Sequence, residues 1–517
     1  MSWLYHKFSN RFEICFSFIE KRLTTRHLAI VCGVVYIVSL LPLLYIAFFN
    51  HPNSDDYWFG ITAYKAWVNE RSIISVVGAA IEHTRYFYHT WQGTISSIFI
   101  MSLPPFIFGT MYYVLATWTA LIALSLAVMY LFRILLGKLL FIDKHVYRIV
   151  GFITLFIIVH FMESYLRYEA FFWYNSICHY TLALCSGIVY IARSASIFET
   201  GIEKSKKKLF LSLTITSLFG FYVGGAGLTI ALFTILVSIF ILLLATWFRL
   251  WRQVICLLIP FMAMMSVFVL SVIAPGNQVR QAEHEALSSY EAIITSFYFV
   301  LNGSYISKAM IVFILLSIGF LIPLFIKAAR QTPFRFRYPI LVAIISLCFF
   351  AAMITPPIYA GVSADASRVI ATIYIMFILL LMLNIFYLIG WICHNWQHFS
   401  IVTTECKRFS RLHIITMFTC IVLTILATGV YLRDEINHFT FSSAMADIYH
   451  GNAKTFSEES KAYDKLLLEA AKNVDAIIFP LTISARPQLF SQMAGVGQHD
   501  VHKLRYYGIL TDVDFSY

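Results

Sequence analysis

The sequence predicts an all-α polytopic membrane protein, and three observations carry that prediction. Of 517 residues, 60% are hydrophobic and 13% charged, with a mean hydropathy of +0.76. Unbroken apolar runs of about twenty residues recur, the length a helix needs to cross roughly 30 Å of hydrocarbon. Only helices and closed barrels satisfy their backbone in lipid, and barrel strands alternate in hydropathy where these runs do not. The third observation is where the basic residues fall. The net charge of +11 resides in short clusters between the runs: KRLTTR (21–26), KSKKK (204–208), KAARQTPFRFR (327–337) and KRFSR (407–411). Cytoplasmic loops collect Lys and Arg in this way, so the charge reads as topology and argues against a nucleic-acid partner.

About eleven spans are expected, each long enough for hydrocarbon: 27–49, 111–134, 147–162, 179–197, 209–222, 226–248, 253–273, 308–327, 338–355, 367–392 and 412–431. Lys7, Arg11, Lys21, Arg22 and Arg26 put the N-terminus in the cytoplasm. The first apolar run is a full span with no small-residue cleavage site after it, which argues against a cleaved leader. Residues 94–108, broken by LPPF, are expected to lie at the outer interface. A second span there would export Arg133, Lys138, Lys144 and Arg148. The outer side then holds 50–110, 163–178, 274–307, 356–366 and the tail. The transmembrane unit covers 1–431, and 432–517 forms a small extracytoplasmic segment of α/β type. In that segment TFSEESKAYDKLLLEAA opens with a capping box, Thr455 to Glu458, and VDAIIFP reads as a strand. The nine cysteines contain no CxxC pair and most lie within apolar runs. A thiol there behaves as a small hydrophobe, so neither disulfides nor zinc are expected.

Polar residues gathered at one membrane face are the pointer to a site. NHPNSDDYWFG (50–60) places Asp55 and Asp56 beside Tyr57 just past the first span. HTRYFYHTWQG (83–93) adds Arg85 and Trp91. ESYLRYEAFFWYNSICHY (163–180) carries Glu163, Arg167, Glu169, Tyr174, Asn175 and His179. APGNQVR supplies Asn277 and Arg280, and Arg368 opens a later span beside Asp365. Arginine forks suit phosphate, aromatic rings suit sugar faces, and a carboxylate within about 3 Å of a hydroxyl can take its proton. A phosphate leaving group, a sugar and an activated hydroxyl together describe glycosyl transfer from a lipid carrier. Each group also has a structural use. Either Asp would cap the helix begun by YWFGITAYKAW, the aromatic stretch would serve as an interfacial belt, PGN is a turn signal, and KSKKK is topological and nothing more.

The acid pair past the first span, the interfacial WQGTISSIFIMSLPPFIFG, FFWYNSICHY, APGNQVR and LRYYGI (504–509) resemble the GT-C superfamily of membrane glycosyltransferases. The likeness is to a bacterial branch related in plan to the serotype-converting O-antigen glucosyltransferases. Two positions depart from that branch: Thr94 stands where arginine commonly follows W-x-G, and GFYVGGAGL has glycines where a glutamate is common. The resemblance implies a polyprenyl-phosphate-sugar donor, a cell-surface glycan or glycolipid acceptor, and a bacterial plasma-membrane location with the C-terminus outside. It also implies a general base at Asp55 or Asp56. Arg280, Arg368 and Arg167 would hold the leaving phosphate. Tyr57, Arg85, Trp91, Glu163, Glu169, Tyr174, His179 and Asn277 would shape the pocket. Some members of the superfamily need a divalent cation and many do not, and paired carboxylates suit Mg²⁺ or Mn²⁺. Two rivals share the composition: an O-antigen polymerase or ligase acting on lipid pyrophosphates, and a transporter or flippase for a lipid-linked sugar.

Overall fold

A computed structural model describes residues 23–53, 55–200, 205–282, 287–361, 366–395, 411–472, 483–490 and 498–509. Among them every regular element is helical. Nine helices are long and apolar enough to cross a membrane, or ten if one bent pair counts as a single span. The chain is therefore a helical integral membrane protein.

Helix α1 (Thr25–Ile46) begins where the Thr24 side chain accepts from the His27 amide. Its lipid-facing side carries Ile30, Val34, Ile37 and Leu41, all more than half exposed. The chain then turns into α2 (Asp55–Glu70), α3 (Ile73–Thr90) and the short α4 (Ile95–Met101), followed by a 3-10 turn at Pro105–Phe108. The expected interfacial segment 94–108 is thus a short broken helix and no span. Helix α5 (Val114–Phe132) continues through a π-turn into α6 (Lys144–His160), and α7 (Ser164–Phe171) leaves α6 at 110°. The expected span 147–162 is the first limb of this bent pair.

A link at 172–181 leads into α8 (Leu182–Thr200), and α9 (Lys206–Gly224) and α10 (Leu228–Trp247) form a tight hairpin. Helix α9 occupies the expected span 209–222, but with three lysines at its start it is not among the nine. It packs closest on α11 (Trp251–Val272), where a Cβ on Gly224 would lie 2.3 Å from the Met264 carbonyl. Small residues of this kind let helix backbones approach in lipid, where no hydrophobic drive pulls helices together. Next come α12 (Pro275–Gln281), α13 (Ser289–Asn302), α14 (Lys308–Gln331), α15 (Pro339–Tyr359), α16 (Ser367–Asn395) and α17 (Arg411–Asp434). Buried polar side chains in the bundle pair with each other, as Ser39 does with His160 (2.7 Å) and Tyr36 with Ser125 (2.6 Å). Left alone in hydrocarbon each would cost several kcal/mol.

The tail forms α18 (Thr440–Tyr449), α19 (Asn452–Ala470) and α20 (Gln498–Tyr506), and Ala444, Ala453, Phe456 and Tyr506 share one apolar core with the membrane helices. The expected strand at 474–480 lies outside the described residues. The expected capping box is corrected: α19 starts a turn earlier, from Gly451 at φ 77°. The Thr455 amide donates to the Gly451 carbonyl, and Glu458 pairs with Lys454 instead.

Candidate functional site

Asp56 is the knot of the site. As α1 ends, Asn50 turns the chain outward and its Nδ2 donates to the Phe172 carbonyl (2.6 Å). The first turn of α2 then aims Asp56 inward, fully buried. Its Oδ2 accepts from the Tyr113 hydroxyl (2.6 Å) and the Asn53 amide (3.0 Å), and its Oδ1 accepts from the Asn175 amide (3.3 Å). The Tyr174 amide donates to the same Tyr113 oxygen (3.2 Å). One carboxylate so joins the first loop, the head of α5 and the 173–175 link. Tyr113 sits at the mouth of an apolar run, where sequence reading sees only an interfacial aromatic.

Asp55, next in line, stays half-buried and lies within electrostatic range of Glu169 and Arg368. Arg368, at the start of α16, stands 5.7 Å from the Trp173 ring, which stacks on Tyr168. Around these groups several buried polar atoms have no partner among the described residues: Glu169 Oε2, Trp173 Nε1, both side-chain atoms of Asn175, and Ser176 Oγ. Native interiors pair nearly all such atoms, so a run of orphans on residues 169–176 marks a place built to meet something else. The chain passes from there into a π-turn, Ile177–Thr181, a form frequent at functional sites. It carries His179, whose Nδ1 meets Ser97 Oγ (2.8 Å), with Arg280 and Arg368 in electrostatic range. The Gly224–Gly227 turn of the α9–α10 hairpin closes on the same corner through Ser96, whose amide donates to the Gly225 carbonyl (2.9 Å).

The motifs WQG and PGN prove to be two halves of one lock. Asn277 Oδ1 accepts from the Gly93 amide (3.0 Å), and its Nδ2 donates to the Ser271 and Val272 carbonyls (2.7 and 3.0 Å). A Cβ on Gly276 would lie 2.5 Å from the Trp91 nitrogen, and one on Gly93 only 1.9 Å from the Ser271 carbonyl oxygen. Arg280 reaches back to Gln92 and stands 5.5 Å from the Trp91 ring. Gly93→Ala is therefore expected to lower stability by about 3 kcal/mol, the upper part of the overpacking range. Gly78→Ala, on an open stretch of α3 with nothing within 4 Å, should be neutral or stabilising by up to about 1 kcal/mol. Thermal unfolding of both variants in detergent checks the contrast.

Several expected pocket residues hold other posts. Arg167 is buried and spends its donors on the polypeptide: Nε on the Met162 carbonyl (2.8 Å), Nη1 on Asn437 O (2.8 Å) and Ser443 Oγ (2.9 Å), Nη2 on His438 O. It fastens the tail and leaves no fork for a phosphate. Glu163 stands beside it, at the start of α7. Arg85 lies on the exposed side of α3, whose buried face is Val76, Ala80, His83 and Phe87. Tyr57 points away under the tail, edge-on to Phe106 (5.5 Å) and Tyr506 (5.1 Å) with Lys503 5.5 Å from its ring. Tyr174 donates its hydroxyl to the Ile100 and Leu103 carbonyls (2.8 and 3.2 Å), bracing α4 and the turn after it. Asn277 is wholly engaged in the lock just described.

Asp56 faces hydrogen-bond donors on both oxygens, and among the described residues no group of three or more His, Cys, Asp or Glu converges. Burial pushes the Asp56 carboxyl up to about 7, against Tyr113 and the amides that favour its charge, and neighbouring Asp55 adds repulsion. This has a sign for stability. The unfolded side chain ionises near 3.8, so between about pH 4 and 7 the folded state holds the extra proton and stability falls as pH rises. The contribution is complete below that window and gone above it. The unfolding midpoint in detergent is expected to drop from about pH 5 to about pH 8 more steeply in the native protein than in Asp56→Asn, which cannot titrate there. Equal slopes would exclude this assignment. The chain matches no protein-family model, no curated protein and no solved structure.

Proposed function

We propose that the protein is a membrane glycosyltransferase of GT-C type. It moves a sugar from a polyprenyl-phosphate donor to a glycan or glycolipid acceptor at the membrane surface. One observation supports this reading above the others. The two acids, Glu169, Arg368 and the unpartnered polar atoms of 169–176 come together at one end of the bundle, from elements far apart in sequence.

In this reading Asp55, the less enclosed acid, takes the proton of the acceptor hydroxyl. The acceptor oxygen bonds to the anomeric carbon as the bond from that carbon to the phosphate oxygen breaks. The lipid phosphate departs beside Arg368, with Arg280 behind it. Trp173 offers a ring face and an indole N–H to the sugar, and Asn175 offers an amide able both to donate and to accept. Asp56 is a positioning residue. It sets the α2 turn that presents Asp55 and holds Asn175 through the backbone.

The test is transfer in liposomes containing the purified protein, a panel of polyprenyl-phosphate donors with labelled sugars, and acceptor glycolipid. Stoichiometric release of polyprenyl phosphate with label in the acceptor is expected for one donor. Intact donors across the panel, with turnover of a lipid-pyrophosphate oligosaccharide instead, would assign the site to polymerase or ligase chemistry. Label that only changes leaflet would assign it to transport.

A further inference from the structure

A cavity of about 300 Å³ opens far from the acid pair, between α5, α8 and α9. From Asn175 to Arg193 the chain runs eighteen residues of helix, a rise of about 27 Å, so the two places sit near opposite ends of the bundle. Tyr130, Arg193, Ser196, Lys208, Leu211 and Ser212 line it. No carboxylate is among the lining residues, and nearby Glu199 is turned to Lys138 (3.9 Å). Arg193 is held in place by Nε on Thr216 Oγ1 (2.8 Å) and by Nη2 on the Ser212 carbonyl and hydroxyl (2.9 and 3.0 Å). Its Nη1 meets no acceptor among the described residues. Lys208 is exposed at the rim, and the adjoining surface is hydrocarbon-facing, with Phe210, Leu211 and Leu218 exposed by 73%, 58% and 65%.

We propose that this groove binds the phosphodiester headgroup of an anionic phospholipid, with the acyl chains lying along the apolar face of α9. Two cations and three hydroxyls, with no acid among the described lining residues, select a negative group, and a fixed guanidinium suits phosphate oxygens. Basic pockets between helices, at the end of a bundle, are the usual seat of such headgroups. The apolar wall makes the occupant a lipid. The lysine run 204–208, which topology alone would account for, therefore has a second use in Lys208.

Native mass spectrometry of the full chain in detergent tests this, with phosphatidylglycerol, phosphatidylcholine or inorganic phosphate titrated in separately. One phosphatidylglycerol is expected to be retained about tenfold more tightly than phosphatidylcholine. Lys208→Gln is expected to lower that affinity about fivefold, the contribution of one basic residue, and Arg193→Gln by more. Because Arg193 also ties α8 to α9, the exposed Lys208 variant carries the decision. Lys308→Gln, on an unrelated helix end, should leave the affinity unchanged. Equal retention of both lipids, no loss in Lys208→Gln, or inorganic phosphate binding as tightly as the lipid would overturn the proposal.

Discussion

Asp55→Asn is expected to lower turnover by about 10²–10⁴-fold, the usual worth of a positioned general base, with the donor KM nearly unchanged. Asparagine keeps the size and polarity of the side chain and removes only its ability to take a proton. The loss should therefore fall on the transition state alone, which separates kcat from KM. Asp56→Asn is expected to behave differently. Its amide nitrogen must face at least one of three donors, the Tyr113 hydroxyl or the Asn53 and Asn175 amides. Leaving such a buried donor unpaired costs about 1–3 kcal/mol. The variant should unfold earlier, and in the fraction that folds kcat and KM should both suffer, because the α2 turn and Asn175 shift together. Steady-state kinetics with a fixed acceptor and varied donor, alongside thermal unfolding, resolves the two. Full turnover in a folded Asp55→Asn protein would remove the proposed mechanism. A swap of the two phenotypes would move the base to Asp56.

Why sequence could place the acids yet not divide their work follows from what each inference needs. Spans are legible because an apolar run of the right length declares its surroundings without naming a partner. Each of the eleven expected runs is helical in the structure. The run ending at residue 162 foretold a break there, but not that the next helix would leave at 110°. The exclusion of Arg85 was legible in principle: Val76, Ala80, His83 and Phe87 follow helical spacing, and position 85 lies off that face. The glycines of WQG and PGN announce turns, but only the folded chain brings Gly93 against Ser271 and Gly276 against Trp91. Asp55 and Asp56 are adjacent, and adjacent helical side chains point about 100° apart, so one was bound to turn inward. Which one depended on Tyr113 and Asn175, distant in sequence and silent as motifs.

Arg167 was the hardest to read, because a guanidinium looks the same in sequence whether its fork meets a phosphate or carbonyls 270 residues away. Its four bonds to Met162, Asn437, His438 and Ser443 fasten the tail where α17 gives way to α18. Arg167→Leu is expected to cost about 3 kcal/mol, because three carbonyls in and at the edge of the core lose a charged donor and only Asn437 O keeps another, the Ser443 hydroxyl. Arg167→Lys should recover little: an ammonium is a point donor on a flexible stem and cannot span a fork. If Arg167 bound phosphate instead, the lysine variant would keep the charge, the fold would be untouched and only the donor KM would rise. Limited proteolysis separates the accounts. A clamp predicts faster cleavage near residues 435–452 in both variants, together with a lower unfolding temperature and an unchanged donor KM in whatever protein remains folded. The consequence would reach the site by way of the tail. Helix α20 lies on α2 through Tyr506 on Tyr64 (4.1 Å) and His502 on Trp58 (5.2 Å). A tail released at Arg167 would therefore uncover the helix whose first turn carries both acids.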